Sequence, residues 1–286
     1  MILLLSCGLL LHAQEFSNKG KGFWVGYGYH LRMIGASGAS QQMVLYFATE
    51  SVTSVTVSIP GLNYSVTYPN IPANTIFTSD PLPKTDPQDA RLTAEGISNK
   101  GIHITSDQPI VAYAHIYDGN VSGATLLFPT STLGREYYSV NAKQVSNENR
   151  SHSWFYAIAV DTGTTYIEIV PSANTLTRQA GVPFIVSLRQ GEVINLMGEL
   201  ISTGLDPFTG VDLTGSTIRS VSSGSGGCKR IAVFSGSGKI SLTCDNGSSS
   251  SDNYIVQAFP KSAWGKRYLT APTRFLPFNY FRVCVT

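Results

Sequence analysis

The sequence predicts an all-β protein built from tandem β-sandwich-like repeats, two units plus the start of a third, with little helix. Three observations carry that prediction. Apolar and polar residues alternate with a period of two along much of the chain; 27 Gly and 14 Pro punctuate the alternating runs; and no stretch keeps the helical 3.6-residue apolar period for three turns. With 42% hydrophobic and 10% aromatic residues the chain has enough apolar surface to fold rather than stay disordered.

The elements follow in order. Residues 1–11 are nearly all apolar, and His12-Ala13-Gln14 breaks the run. A bilayer span needs about 20 residues, so this stretch fits a signal peptide over 1–13, cleaved after Ala13. Its missing positive n-region places the natural start upstream of Met1, and lipidation at Cys7 is the rival reading. Export to the cell surface or the extracellular space follows, and no second stretch could insert in a membrane. Phe23, Trp24, Tyr27 and Tyr29 then cluster ahead of the first long strand. Val55, Val57 and Ile59 alternate with Thr56 and Ser58, and Tyr64, Val66 and Tyr68 with Ser65 and Thr67; Pro60-Gly61 and Pro69-Asn70 turn the chain between and after them. Residues 110–116 are apolar on both faces apart from His115, the pattern of a central strand. Trp154-Phe155-Tyr156 opens a second series, followed by Ile167 and Ile169 around Glu168, and Ile240 and Leu242 among Lys239, Ser241 and Thr243.

The second series repeats the first. Phe128-Pro129-Thr130-Ser131-Thr132-Leu133-Gly134-Arg135-Glu136-Tyr137 recurs as Phe259-Pro260-Lys261-Ser262-Ala263-Trp264-Gly265-Lys266-Arg267-Tyr268. Gly101-Ile102-His103-Ile104-Thr105-Ser106 matches Gly215-Ser216-Thr217-Ile218-Arg219-Ser220, and Ile110-Val111-Ala112-Tyr113 matches Ile231-Ala232-Val233-Phe234. Order is kept and the gaps fall in Gly/Ser-rich loops, which implies a duplication. The expected units are 14–142 and 143–272; residues 273–286 begin a further unit, because Tyr280–Val285 resembles Phe155–Val160. Downstream domains of the same chain are therefore expected.

Twenty basic against eighteen acidic residues give a net charge of +2, too little to gather nucleic acid. After signal removal three cysteines remain. Cys228 and Cys244 flank a strand-like stretch, and a disulfide between them would add about 3 kcal/mol in an oxidising compartment. Metal binding needs clustered ligands, which the sequence lacks. Asp80, Asp86 and Asp89 form the best oxygen-ligand set, for calcium, but read equally as a solvated turn. No cofactor is implied.

Catalysis finds little support. His30, His103, His115 and His152 are scattered: His103 should face water, and His115 should be a hydrogen-bonded strand histidine. Glu136, Glu168, Glu192 and Glu199 sit in separate segments with nothing to make them converge as a glycosidase pair. The Gly-rich run Ser235-Gly236-Ser237-Gly238-Lys239 lacks the spacing of a phosphate-binding loop. Gly134 and Gly265, at matched positions, suit turns with positive φ. The aromatic clusters serve either a sandwich core or a ligand surface, with the core favoured.

Gly20-Lys21-Gly22-Phe23-Trp24-Val25-Gly26-Tyr27, Asp212-Leu213-Thr214-Gly215, Ile231-Ala232-Val233-Phe234-Ser235-Gly236 and the Phe259 to Gly265 segment together resemble the IgG Fc-binding protein N-terminal domain family. The form is that of secreted Bacteroidetes-type bacterial members, and the likeness spans roughly residues 20–272. It implies a secreted or cell-surface, non-enzymatic adhesion module whose partner is a host glycoprotein, an immunoglobulin, a mucin-like protein or a glycan. It supplies no ligand-binding residues. The alternatives are a structural spacer presenting a distal domain and, third, an extracellular hydrolase.

Overall fold

In a computed structural model, residues 17–33, 40–201, 208–222, 227–241, 251–272, 274 and 281–285 are described. The signal segment 1–13, Cys244 and most of 273–286 lie outside them. The N-terminal half forms β1 (Gly20–Val25), β2 (Gln42–Thr49), β3 (Thr53–Ile59), β4 (Tyr64–Ile71), β5 (Thr75–Thr78), β6 (Gly96–Ser98), β7 (Ile102–Tyr117) and β8 (Ser122–Leu126). The C-terminal half forms β9 (Glu136–Tyr138), β10 (Gln144–Ser146), β11 (Ser153–Ala159), β12 (Thr165–Val170), β13 (Phe184–Leu188), β14 (Val193–Met197), β15 (Leu200–Ile201), β16 (Phe208–Gly210), β17 (Thr217–Val221), β18 (Ile231–Ile240) and β19 (Asp252–Gln257). The helix among the described residues consists of short 3-10 turns such as Thr130–Thr132 and Lys261–Ala263. The protein is all-β, as its alternation requires.

The sheets are antiparallel. An N-terminal sheet runs β4-β3-β7-β2-β5, with β1 and β8 also on β7. A middle sheet runs β19-β18-β11-β14-β6, an outer sheet β13-β12-β17-β9, and β10-β16-β15 form a small third partner. One core lies between the N-terminal and middle sheets, where Phe23, Leu45, Val57 and Ile104 meet Trp154, Tyr156 and Phe234. A second lies between the middle and outer sheets, where Phe155, Ala157 and Val233 meet Ile167, Ile169 and Ile218. The central strands of the middle sheet are therefore buried on both faces, which is why β11, β14 and β18 read as apolar or small-residue runs broken only at Asn195 and Lys239.

The two halves share one pairing scheme. In the first, β1, β3 and β4 build on the start of β7, while β2, β5 and β8 build on its end. In the second, β9, β12 and β13 assemble around β17, while β11, β14 and β19 assemble around β18. The 16-residue β7 thus corresponds to two strands in two sheets. In the second half β17 and β18 belong to different sheets, so that half forms two layers. The halves also interlock: β6, from the first, extends the middle sheet by pairing with β14.

A glutamate fastens that junction. Glu95, just before β6, accepts hydrogen bonds from Thr175 Oγ1 (2.8 Å) and the backbone N–H groups of Leu176 (3.2 Å), Thr177 (3.0 Å) and Met197 (2.8 Å). The Thr177 hydroxyl makes a fifth, short contact.

Several local expectations change. Gly134 and Gly265 do not have positive φ. Gly134 is required instead because a Cβ there would lie 2.4 Å from Pro260, just as one on Gly20 would lie 2.4 Å from Pro129. His103 does not simply face water, because cross-strand pairing with Trp24 stacks the two rings at 4.1 Å. The Ser235 to Lys239 run is the interior of β18, where Gly236 makes room for Trp154 and Gly238 for Tyr29.

Candidate functional site

The early aromatic cluster is core: Phe23, Trp24, Tyr27 and Tyr29 are at most 3% exposed. Trp154 and Tyr156 are likewise buried, with Trp154 Nε1 donating to Tyr29 O (2.8 Å). Apart from the edge of Trp24, which lines a depression described below, these rings are packed away from any ligand.

The acidic and histidine candidates are dispersed. Asp89 pairs with Arg91 (2.8 Å), while Asp80 accepts from the Tyr68 hydroxyl (3.4 Å). Glu136 pairs with Lys261 (2.8 Å) and Glu168 with Arg219 (2.6 Å); Glu192 accepts from Arg189 N, and Glu199 from Asn174. His115 lies between the Tyr46 hydroxyl (3.1 Å) and the Ser122 hydroxyl (2.8 Å), and His152 Nδ1 is 2.9 Å from Gly198 O. His30 is fully buried, and burial pushes its pKa down to about 4. Among the described residues no three His, Cys, Asp or Glu side chains could jointly hold a metal ion. Cys228 and Cys284 are half-buried and do not pair with one another.

What the structure does assemble is an apolar cleft of about 420 Å³ at the C-terminal end of the chain, lined by Tyr138, Val140, Phe259, Trp264, Tyr268 and Phe281 among others. Each wall has a local cause. Tyr138 stands on β9, at the edge of the outer sheet, where strand alternation turns Tyr137 into the core and Tyr138 outward. The Lys261–Ala263 turn delivers Trp264 against Tyr138, with ring centroids 5.3 Å apart. Phe259 packs on Phe128 at 4.5 Å. Val140 is fixed from behind by the Tyr254 hydroxyl, which donates to its carbonyl (2.9 Å). Arg282 closes one side by donating to Asp212 Oδ2 (2.5 Å) and Thr214 Oγ1 (2.6 Å). Desolvation works to raise the Asp212 pKa, but the hydrogen bonds from Thr214 and Arg282 outweigh it and hold the carboxyl below its ordinary value.

The cleft is half of a geometry that the protein completes elsewhere. Gly134 N donates to the Tyr137 hydroxyl (2.8 Å), which donates onward to Ile231 O (2.8 Å), and Tyr137 is fully buried. Gly265 N donates to the Tyr268 hydroxyl (2.7 Å) in the same way, yet Tyr268 is 70% exposed. Phe259, Leu269, Phe281 and Val283 are exposed beside it. An exposed apolar concentration of this kind marks an interaction surface. The repeat sets Trp264 at the position of the apolar Leu133, a match that argues for packing. Leu133 is 5% exposed, whereas Trp264 is half-buried and its outer edge lines the cleft. A second depression, around Trp24, Asp161 and Arg230, is a weaker candidate. Its wall is less apolar than the cleft's, with Trp24 and Val160 set among Asp161, Thr162, Gln190, Lys229 and Arg230, and Arg230 pairs with Asp161 (2.6 Å) as Arg282 does with Asp212.

The cleft offers shape, aromatic surface and an arginine, features suited to recognition. Neither a curated protein nor a solved structure significantly matches the chain. The family model described as IgGFc binding protein matches residues 123–286, which begin in β8 and include every residue of the cleft. That span starts later than the resemblance read from residue 20, and it covers more than half of the 286 residues. The chain belongs to the IgGFc-binding family.

Proposed function

We propose that the protein is an exported, non-enzymatic binding module that captures a protein ligand, of immunoglobulin or mucin-like glycoprotein type, on the Trp264–Tyr138 cleft. The observation that carries this reading is the position of the cleft. This aromatic-walled hollow, with Arg282 at its side, lies wholly inside the family-matched span. Trp, Tyr and Arg are the residues that dominate binding energy at protein interfaces, because they bury large rigid surfaces and still offer polar edges. Export is supported by the apolar run at 1–11, too short to span a bilayer and followed by His12-Ala13-Gln14.

The test is interferometry of the purified chain against immobilised immunoglobulin Fc, mucin and a glycan array, beside Trp264→Ala and Tyr138→Ala variants that keep the wild-type melt. The expected result is saturable binding to Fc or mucin, weakened at least about tenfold by Trp264→Ala, as for a hot-spot residue. Binding to free glycans alone would change the ligand class. Absence of binding, or binding indifferent to both substitutions, would remove the cleft from the function.

A further inference from the structure

The outer face of the N-terminal sheet carries a ladder that the protein buries in its other copy. Across β5, β2 and β7, Ile76, Ala48 and Val111 stand opposite one another; the next row is Thr78, Tyr46, Tyr113 and, on β8, Leu126. The motif match of Val111 and Tyr113 with Ala232 and Phe234 fixes the corresponding rows in the middle sheet. They are Val193, Ile158 and Ala232, then Asn195, Tyr156, Phe234 and Gln257. Every one of those seven residues is at most 1% exposed. They are covered by the connection that follows β1. Tyr156 donates to Gly26 O (3.0 Å) and accepts from Gly26 N (3.0 Å), and Trp154 packs where Gly28 leaves room. The matching rows on the N-terminal sheet remain open, with Ile76 74% and Tyr113 39% exposed.

This open face has the character of an interface in its own right. None of its ladder positions is charged, and Tyr46, His115 and Tyr117 extend an aromatic strip along it, with ring centroids 5.8 Å and 4.7 Å apart. At one end a hollow of about 240 Å³, lined by Ala48, Pro109 and Val111, adjoins the protruding Ile76. The hollow's rim holds Lys19 and Glu50, an exposed pair of opposite sign (2.5 Å). A knob beside a hollow, and both charges on one rim, suit contact with a copy of the same surface. A twofold axis sets Ile76 of each copy over the hollow of the other and each lysine near a glutamate.

We propose that this face, Ile76, Tyr46, Tyr113 and the hollow beside them, docks a second copy of the chain in an isologous dimer. The surface is distinct from the ligand cleft, so the proposal goes beyond the binding function and stands or falls separately. Four strands at about 4.8 Å spacing and a ladder about 20 Å long give roughly 400 Å² of flat area. That is about half of what each partner of a standard interface contributes, so the dimer is a weak, readily dissociating one.

Sedimentation equilibrium from about 5 to 500 μM tests it. The wild-type chain is expected to show a reversible monomer–dimer equilibrium. Ile76→Arg and Tyr113→Arg, each desolvating a charge in the contact, should each raise its Kd at least about tenfold without changing the thermal melt. Trp264→Ala, in the cleft, should leave it unchanged. A wild-type chain that stays monomeric over the whole range overturns the proposal, whether or not some other protein seats on the face. So does a dimer that survives both arginine substitutions.

Discussion

The contrast between Tyr156 and Tyr46 yields a paired experiment. They occupy matching positions, one opposite Phe234 and the other opposite Tyr113, but one is sealed between sheets and the other is half-open. Replacing Tyr156 with Phe keeps a ring held between Trp154 (5.5 Å) and Phe234 (4.9 Å) and deletes only the hydroxyl. Both its hydrogen bonds go to Gly26, whose N–H and C=O sit in the same dry core. Stranding a buried donor and a buried acceptor costs about 1–3 kcal/mol for each group. The expected loss is therefore about 2–6 kcal/mol, a fall in Tm of several degrees at the sensitivity of a chain this size. Tyr46→Phe removes a hydroxyl that meets His115 Nδ1 at a half-buried site, where water can take over; its cost should stay below about 0.5 kcal/mol. Urea unfolding followed by tryptophan fluorescence, with calorimetry for Tm, reads both. Equal costs for the two variants, or a cost below about 1 kcal/mol for Tyr156→Phe, would refute the argument that the middle sheet is sealed by the β1 connection.

Two further outcomes follow from the same structure and a third from the sequence. Glu95→Gln turns an all-acceptor carboxylate into an amide whose NH₂ must face donors around residues 175–177 or 197. It should cost about 2 kcal/mol in urea unfolding and speed amide exchange in that loop, whereas unaltered exchange would show that the fastening is idle. His30 has a folded pKa of about 4, lowered first by desolvation, so the unfolded chain takes up a proton near 6.5 that the folded chain refuses. Stability is therefore full above pH 6.5 and falls toward pH 4, by on the order of 2 kcal/mol at pH 5. His30→Asn should flatten that slope, and an unchanged slope would assign it to His103, His115 and His152, whose pKa values burial also lowers. Finally, a non-reducing peptide map of exported protein should contain a Cys228–Cys244 cross-link, with Cys228→Ser costing about 2–4 kcal/mol; a free thiol at Cys228 would exclude the bridge.

Much of this molecule is legible one residue at a time. Alternation in Val55 to Ile59 and Tyr64 to Tyr68 specifies strands because side chains on a pleated backbone must choose faces locally. The turn at Pro60-Gly61, the apolar opening run and the order-preserving repeat need no third dimension, whereas Pro69-Asn70, expected to turn the chain, lies inside β4 at an irregularity in its pairing with β3. The Phe-Pro and Gly-x-x-Tyr matches even locate the two equivalent junctions, although they misstate why Gly134 is glycine. Its neighbour Pro260 lies 126 positions away, and no local pattern records that approach.

The layering could not be read this way. A continuous apolar run such as Trp154 to Val160 says that both faces of a strand are buried, not what buries them. β6 joins a sheet whose other strands begin at Ser153, and Glu95 reaches loop residues about 80 positions ahead. The cleft depends on where the Lys261–Ala263 turn sets Trp264, a placement fixed by contacts with β9. Tyr46 and Tyr156 state the point most directly: the sequence assigns both to strands, and only the stacking of a third layer makes one a core residue and leaves the other at the surface. Strand formation depends on neighbours along the chain, whereas burial depends on which distant segments cover the strand, and that is settled only when the sheets pack.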